Sequence, residues 1–352
     1  GVLDLRDYLR TALEVGLQVC IRPGPYVYSE LRDSGLPRWL LEKYPQIMAR
    51  DCAGNVPCQS SISYLHPLFL EKAAAYYRWI CPILAEFTAS RGGPITLFQL
   101  DNEIEGIHLW YGFMDHNAEM LGLGSEDGRY AAFLRRRYGD ITAVNDAYGT
   151  SFASFAQARP NEDAATGLEK HRIIKDLGDL TSEIAYDYLK FLRKIAEECG
   201  IDTPFCHNAG CIELTTYLKD IKAHLGDDVL LGCDHYWQLG PSWPQNNPTP
   251  QRLIMHYTSC ELLRILGFPP CVLEFQYGTI GNWLRVTQEE LRVALMAHLG
   301  FGLQGHNGYI FSGGPNHGGF TGKTYDYCAP IAADGTIRPH YYSIKEQGDF
   351  IR

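Results

Sequence analysis

No run in this chain is long and apolar enough to cross a membrane. No charged and apolar leader opens it either, although its first residues already read as the inside of a domain. Positive charge is scarce: 31 Lys and Arg stand against 41 Asp and Glu, for a net charge of −10. That balance argues against a nucleic-acid surface as the main function. It names no partner and mostly favours solubility. Cysteine and histidine nowhere take a zinc spacing. The 11 cysteines are odd in number and follow no repeating frame. Cys20, Cys206, Cys233 and Cys271 fall inside apparent strands and read as reduced core residues, a usage that leans towards the cytoplasm while leaving the compartment open. Cys52 and Cys58 flank a polar loop and have a disulfide reading. Low-complexity segments and short repeats are missing. No Gly-x-Gly-x-x-Gly follows the first strand, which sets aside a nicotinamide-dependent oxidoreductase and an open doubly wound sheet.

What is present is ordinary globular material. The 352 residues are 45% hydrophobic and 20% charged, enough for a large core. Tyrosine (22) and tryptophan (6) are plentiful. Most will pack in the core; the remainder suit a carbohydrate cleft, where flat rings cover apolar sugar faces.

Strand and helix signals alternate along the chain. Asp4 caps a helix with Leu5, Leu9 and Leu13 on one face, ended by Gly16. A strand over 17–21 runs into Arg22-Pro23-Gly24-Pro25-Tyr26. Pro67 opens a helix that the Gly92-Gly93 pair breaks. Further helices are expected over 130–137, 141–147, 180–198 and 213–224, with strands over 204–207, 229–233, 271–274 and 308–311. Thr249 and Pro250 start one helix, and Thr287 with Glu290 forms the capping-box signature of the next. Six apolar strands separated by helices predict a parallel sheet covered by helices, an α/β (β/α)8 TIM-type barrel filling residues 1–352 as a single catalytic domain. The segment 104–178 is expected to be a helical insertion.

Chemistry-bearing residues cluster just after strands, as at the C-terminal face of a barrel. The strand around Ile95 ends on Phe98-Gln99-Leu100-Asp101-Asn102-Glu103, and the strand Cys271-Val272-Leu273 ends on Glu274. Cleaving a glycosidic bond takes a proton donor and a second carboxylate. The two lie about 5–5.5 Å apart in a retaining enzyme and further apart in an inverting one. Folding is therefore expected to bring positions 103 and 274 to one sugar-sized hollow.

The stretch 98–103 resembles the Asn-Glu acid/base motif of clan A glycoside hydrolases. Residues 21–30, Ile-Arg-Pro-Gly-Pro-Tyr-Val-Tyr-Ser-Glu, are similar to family 35 β-galactosidases, as are 35–40, 307–316 and 324–330. The blocks 133–140 and 145–150 look more like family 42. The resemblance implies Glu103 as general acid/base and Glu274 as nucleophile, with Asn102 on the sugar 2-hydroxyl. It implies substrate contacts from Tyr26, Tyr28, Ser29 and Glu30, and from Tyr309 and Tyr327 near the nucleophile. Asp234, His235, Tyr236 and Trp237 end another strand and are expected to border the cleft, Tyr236 among the substrate-binding residues. Asp101 and Glu105 could tune the acid/base, and Glu30 could instead pair with Arg32 or Arg38.

The implied activity is hydrolysis of terminal β-D-galactosides by a retaining exo-glycosidase, with no metal and no organic cofactor. The partner is a carbohydrate; neither nucleic acid nor membrane is expected, and homo-oligomerisation stays open. Three departures touch the sugar pocket: Gln276 where the family has Tyr, Pro315 for Thr, and Cys328 for Asp. They leave a β-glucosaminide, β-glucoside or α-L-arabinopyranoside as alternative substrates, and an inactive carbohydrate-binding homologue as a rival of another class. The resemblance also implies that Gly1 falls just before the second barrel helix. The chain would then lack the first two strand-helix units and be unstable or weakly active alone.

Overall fold

The computed structural model describes residues 4–26, 32–58, 61–104, 114–210, 212, 217–237, 250–278, 286–319, 322–326 and 328–351. Among them six strands, β1 to β6, follow one another in sheet order as they do in the chain. Every pairing given below for these six is parallel, and helices alternate with the strands, the architecture of a partial (β/α) barrel. The chain divides into two compact units. The first is Gly1–Pro25, Leu36–Phe205 and Tyr217–Asp228; the second is Tyr26–Gly35, Cys206–Thr216 and Val229–Arg352.

In the first unit, the Asp4 side chain accepts from the Arg6 N–H and starts α1 (Leu5–Glu14). Its buried residues are Leu9 and Ala12, whereas Leu13 is 47% exposed, so the apolar face is narrower than expected. Strand β1 (Val19–Ile21) pairs with β2 (Ile95–Gln99), Ile21 opposite Phe98. Between them lie α2 (Arg38–Lys43) and α3 (Pro67–Ala85). Proline opens α3 where its missing N–H costs nothing, and the helix buries Phe69, Tyr77 and Leu84. The return to β2 needs Gly93, because a Cβ there would lie 2.0 Å from the Phe87 carbonyl oxygen.

Five helices complete this unit: α4 (Ala118–Leu121), α5 (Arg129–Tyr138), α6 (Ile141–Tyr148), α7 (Gly167–Glu198) and α8 (Ile221–Leu225). Helix α7 begins well before the expected residue 180. The cause is tertiary: Asp176, buried, accepts from Tyr138 Oη at 2.6 Å and Tyr148 Oη at 2.8 Å and pairs with Arg137 Nε at 2.6 Å. One carboxylate thus ties α5 and α6 to the first half of α7. Arg137 is partly exposed and also pairs with Asp179, so removing Asp176 mainly leaves two phenols without their acceptor, at a cost of about 1–3 kcal/mol. Asp176→Ala should lower the melting temperature accordingly; an unchanged melt would show that the helices hold without this tie.

In the second unit, β3 (Phe205–Ala209), β4 (Val229–His235), β5 (Cys271–Gln276) and β6 (Gly305–Tyr309) carry the sheet, Phe205 itself closing the first unit. Register sets Asp234 opposite Glu274 and His235 opposite Phe275. It also sets Gln276 opposite Tyr309. Helix α9 (Pro250–Ile265) follows β4, and α10 (Gln288–Gly300) follows β5 with the expected reciprocal cap between Thr287 and Glu290. Strand β6 ends at Tyr309, not Phe311, whose ring is 38% exposed. Gly308 is required there, since a Cβ would meet the Tyr277 ring at 2.0 Å. An antiparallel hairpin unforeseen from the sequence, β7 (Gly314–Gly319) and β8 (Gly322–Tyr325), precedes α11 (Pro339–Ile351). Of the helix expected over 213–224, residues 213–216 lie outside the described residues and the rest is helical only in α8.

Candidate active site

The turn after β2 is built to hold a carboxylate. Asp101 and Glu103 adopt φ of +54° and +38°, a left-handed conformation that costs a non-glycine residue about 1–3 kcal/mol and that clusters at functional sites. Neighbouring bonds enforce it. The Tyr188 hydroxyl of α7 donates to Asp101 Oδ2, and the Asn102 N–H donates to Asp101 Oδ1 at 2.8 Å. Gln99 Nε2 donates to the Asp101 carbonyl at 2.9 Å. Arg22, just past β1, donates to Asn102 Oδ1 at 2.5 Å. With its oxygen so engaged, the Asn102 amide is fixed in orientation. Glu103 follows it, 8% exposed.

The ends of β3, β4 and β5 hold the other predicted carboxylate. Glu274 is 6% exposed. Its Oε2 accepts from Tyr236 Oη at 2.7 Å and its Oε1 from Asn208 Nδ2 at 3.3 Å. Asn208 Nδ2 also reaches Asp234 Oδ2 at 2.7 Å, so one amide lies between two buried carboxylates that the sheet register makes neighbours. The Trp237 N–H donates to Gln276 Oε1 at 3.0 Å, which joins the ends of β4 and β5. The Tyr236 and Tyr309 rings meet edge-on at 6.0 Å.

Behind these residues three histidines pack together. His235 and His256 stack with centroids 4.1 Å apart and planes 4° apart. His235 Nδ1 lies 2.8 Å from His298 Nε2, and His298 Nδ1 lies 2.7 Å from the Ala294 carbonyl. Nitrogen atoms of the three fall within 4.8 Å of one another. Parallel stacking nevertheless fits a shared metal poorly, because an ion in the plane of one ring lies out of the plane of the other. Burial holds His235 and His256 well below the usual imidazole range and His298 down to about 4, so all three are neutral.

Acid sensitivity follows. The unfolded chain protonates these rings near pH 6.5 and the folded chain resists until far lower, so stability is fully present above about pH 6.5 and falls as pH drops towards 4. Each ring contributes up to about 1.4 kcal/mol per pH unit in that window. Urea melts at pH 7 and pH 5 should show a smaller difference for His256→Phe than for the parent. Equal differences would place the acid sensitivity elsewhere.

Of the predicted site residues, Asn102 and Glu103 share the turn after β2, and Glu274, Tyr236 and Tyr309 share the ends of β4 to β6. Tyr26 is fully buried. Tyr28, Ser29, Glu30 and Tyr327 lie outside the described residues, as does Glu105. The structure adds Asn208, which the sequence reading passed over although it is polar at the end of an apolar strand, and Arg22, quoted there only within its motif. The disulfide reading of Cys52 and Cys58 is corrected: the two are not bridged, and Cys52 Sγ donates to Asp163 Oδ2 at 2.9 Å. That acceptor and burial push the Cys52 thiol up to about 11.

Residues 1–127 match the model of glycosyl hydrolases family 35. A β-1,2-glucosyltransferase of Ignavibacterium album is 29% identical over 99% of this chain and 49% of its own length. An exo-β-D-glucosaminidase of Pyrococcus horikoshii is 28% identical over 99% and 45%. The chain thus spans about half the length of these two relatives. A β-galactosidase from Bacillus circulans sp. alkalophilus superposes with a TM-score of 0.69 at 14% identity, over 98% of this chain and 47% of that one. The catalytic domain of a Paenibacillus polymyxa β-amylase reaches 0.63 at 14% identity, over 97% and 84%. These two share the barrel fold. The chain thus resembles glycosyl hydrolases family 35 over residues 1–127 and shares the barrel fold of these two glycosidases.

Proposed function

We propose that the protein processes terminal β-linked hexosides with retention, Glu274 acting as nucleophile and Glu103 as acid/base, and that β-D-galactosides are among its substrates. The observation that carries the reading is the setting of Glu274. Both its oxygens accept hydrogen bonds, from a phenol and an amide, which hold the carboxylate still and aim it. A nucleophile needs that; a proton donor does not. In the first step Glu274 attacks the anomeric carbon while Glu103 gives its proton to the departing oxygen. In the second, Glu103 takes a proton from water as the glycosyl-enzyme ester breaks. Asn102, its amide oriented by Arg22, suits a contact to the sugar 2-hydroxyl. Tyr28, Ser29, Glu30, Tyr309 and Tyr327 supply the remaining substrate contacts, while Tyr26, fully buried, packs instead of touching sugar.

A second reading shares the first step. A relative named β-1,2-glucosyltransferase matches over nearly the whole chain. The same glycosyl-enzyme intercepted by a sugar hydroxyl instead of water gives transfer. A panel of aryl β-galactosides, β-glucosides and β-glucosaminides, run on the full-length protein with and without added sugar acceptors, separates the outcomes. Free sugar released with retained configuration supports hydrolysis; oligosaccharide products support transfer. No turnover across the panel would leave a carbohydrate-binding homologue.

A further inference from the structure

The histidine stack sits one residue from the nucleophile's phenol, and its hydrogen-bond polarity can be derived completely. The Ala294 carbonyl only accepts, so His298 Nδ1 carries the proton and Nε2 is its lone pair. His235 Nδ1 therefore donates to His298 Nε2. In a neutral ring His235 Nε2 is then an acceptor, and it faces Cys233 Sγ at 3.1 Å, a thiol also 3.7 Å from the Cys271 carbonyl. The result is a directed chain, His235 to His298 to the α10 backbone, with His256 of α9 stacked on the His235 ring. Side chains alternate along a strand. His235 and Cys233 thus point to the helices while Asp234 and Tyr236 point to Glu274 and Asn208. Phe275, paired with His235 in the sheet, closes the same side, its ring 4.6 Å from that of His298 and 5.3 Å from that of Trp237.

We infer that His235 is a positioning residue for the nucleophile: bonded to His298 and stacked on His256, it pins the helix-facing side of the β4 end and thereby holds Tyr236 against Glu274. The assignment rests on the retaining reading only in that Glu274 is the nucleophile. Geometry makes the lever tight. The Tyr236 hydroxyl reaches Glu274 at 2.7 Å, and strand ends carry little backbone slack when both neighbouring residues are tied, here His235 to α10 and Trp237 to Gln276. Misplacing a reacting group by about 1 Å costs on the order of 10²-fold in rate. Charged and titratable groups facing the stack are Arg252 and His256 from α9, His298 from α10, His306 from β6 and Cys233 from β4.

The test uses the full-length protein. His298→Phe keeps a ring but removes the acceptor for His235; His298→Gln keeps an acceptor oxygen. On an aryl β-glycoside, His298→Phe is expected to lower kcat about 10- to 100-fold with KM within about threefold, and His298→Gln to recover most of the loss. In a Tyr236→Phe background the same His298→Phe change should cost less than about threefold, because the group at the end of the lever is already gone. Equal losses for Phe and Gln, or losses that multiply in the double variant, would overturn the inference. If the parent turns over no glycoside, the retaining reading fails and the lever is read without activity. The 19F resonance of fluorotyrosine at position 236 should then move in His298→Phe, and labelled His235 and His298 should remain Nδ1–H tautomers down to about pH 5. An unmoved fluorine signal, or imidazoles titrating near the ordinary value of about 6.5, would overturn the inference by itself.

Discussion

Glu274→Gln in the full-length protein is expected to lose on the order of 10⁴- to 10⁶-fold in kcat on an activated aryl β-glycoside. That loss is about 5–8 kcal/mol of transition-state stabilisation. Size is not the reason, since the amide matches the carboxylate in shape. The amide cannot form the ester to the anomeric carbon, and its NH₂ would face a donor: Tyr236 Oη or Asn208 Nδ2, both of which now donate to Glu274. The melting temperature should change little by comparison, because a carboxamide still fills the same space. A 2-deoxy-2-fluoro glycoside should label the parent on the peptide holding Glu274 and leave the variant unlabelled. Turnover within tenfold of the parent, or a label on another residue, would remove Glu274 as nucleophile.

Glu103→Ala separates the two steps. With a 2,4-dinitrophenyl leaving group, glycosylation needs little proton donation, so that step should fall by less than about tenfold. With an alkyl or methoxyphenyl leaving group it should fall by about 10²- to 10⁴-fold, the usual worth of a positioned general acid. Deglycosylation, which needs Glu103 as base, should slow for every substrate, so the dinitrophenyl substrate should give a burst followed by a slow steady state. Azide, which attacks without a base, should restore turnover and yield a β-glycosyl azide. Equal losses across leaving groups, with no azide effect, would count against the acid/base role. Both predictions stand on strand-end carboxylates whose supports the structure makes explicit: the left-handed turn at 101–103, and the phenol and amide on Glu274.

Much of the frame was legible from short-range signals. The Asp4 cap, the proline start of α3 and the Thr287–Glu290 box are each written in a few adjacent residues, and each appears in the structure; α3 instead ends at Ala85, ahead of the Gly92-Gly93 pair expected to break it. The two candidate glutamates stand out in the sequence because an apolar run ending in a carboxylate is a local pattern, and both are buried at strand ends in the structure. What escaped depends on partners distant in the chain. Helix α7 starts early because Asp176 collects two phenols and a guanidinium from two other helices, which no window around residue 176 reveals. Asn208 looked like any polar residue after a strand until the register put Asp234 and Glu274 within its reach. Leu13 continued the apolar spacing of α1, yet its side of the helix is exposed, since periodicity marks a stripe but not its width. The histidines read singly at 235, 256 and 298; only tertiary folding makes them a stack.

The bond from Tyr188 to Asp101 limits how the turn after β2 can be borrowed for protein engineering. The two residues are 87 positions apart, so residues 98–103 are not a cassette that functions wherever it is spliced. Moved into another scaffold without a matching phenol from the long helix, Asp101 would relax to an ordinary backbone conformation and Glu103 would swing with it. A chimera made from this protein must take the segment around 188 along with the turn.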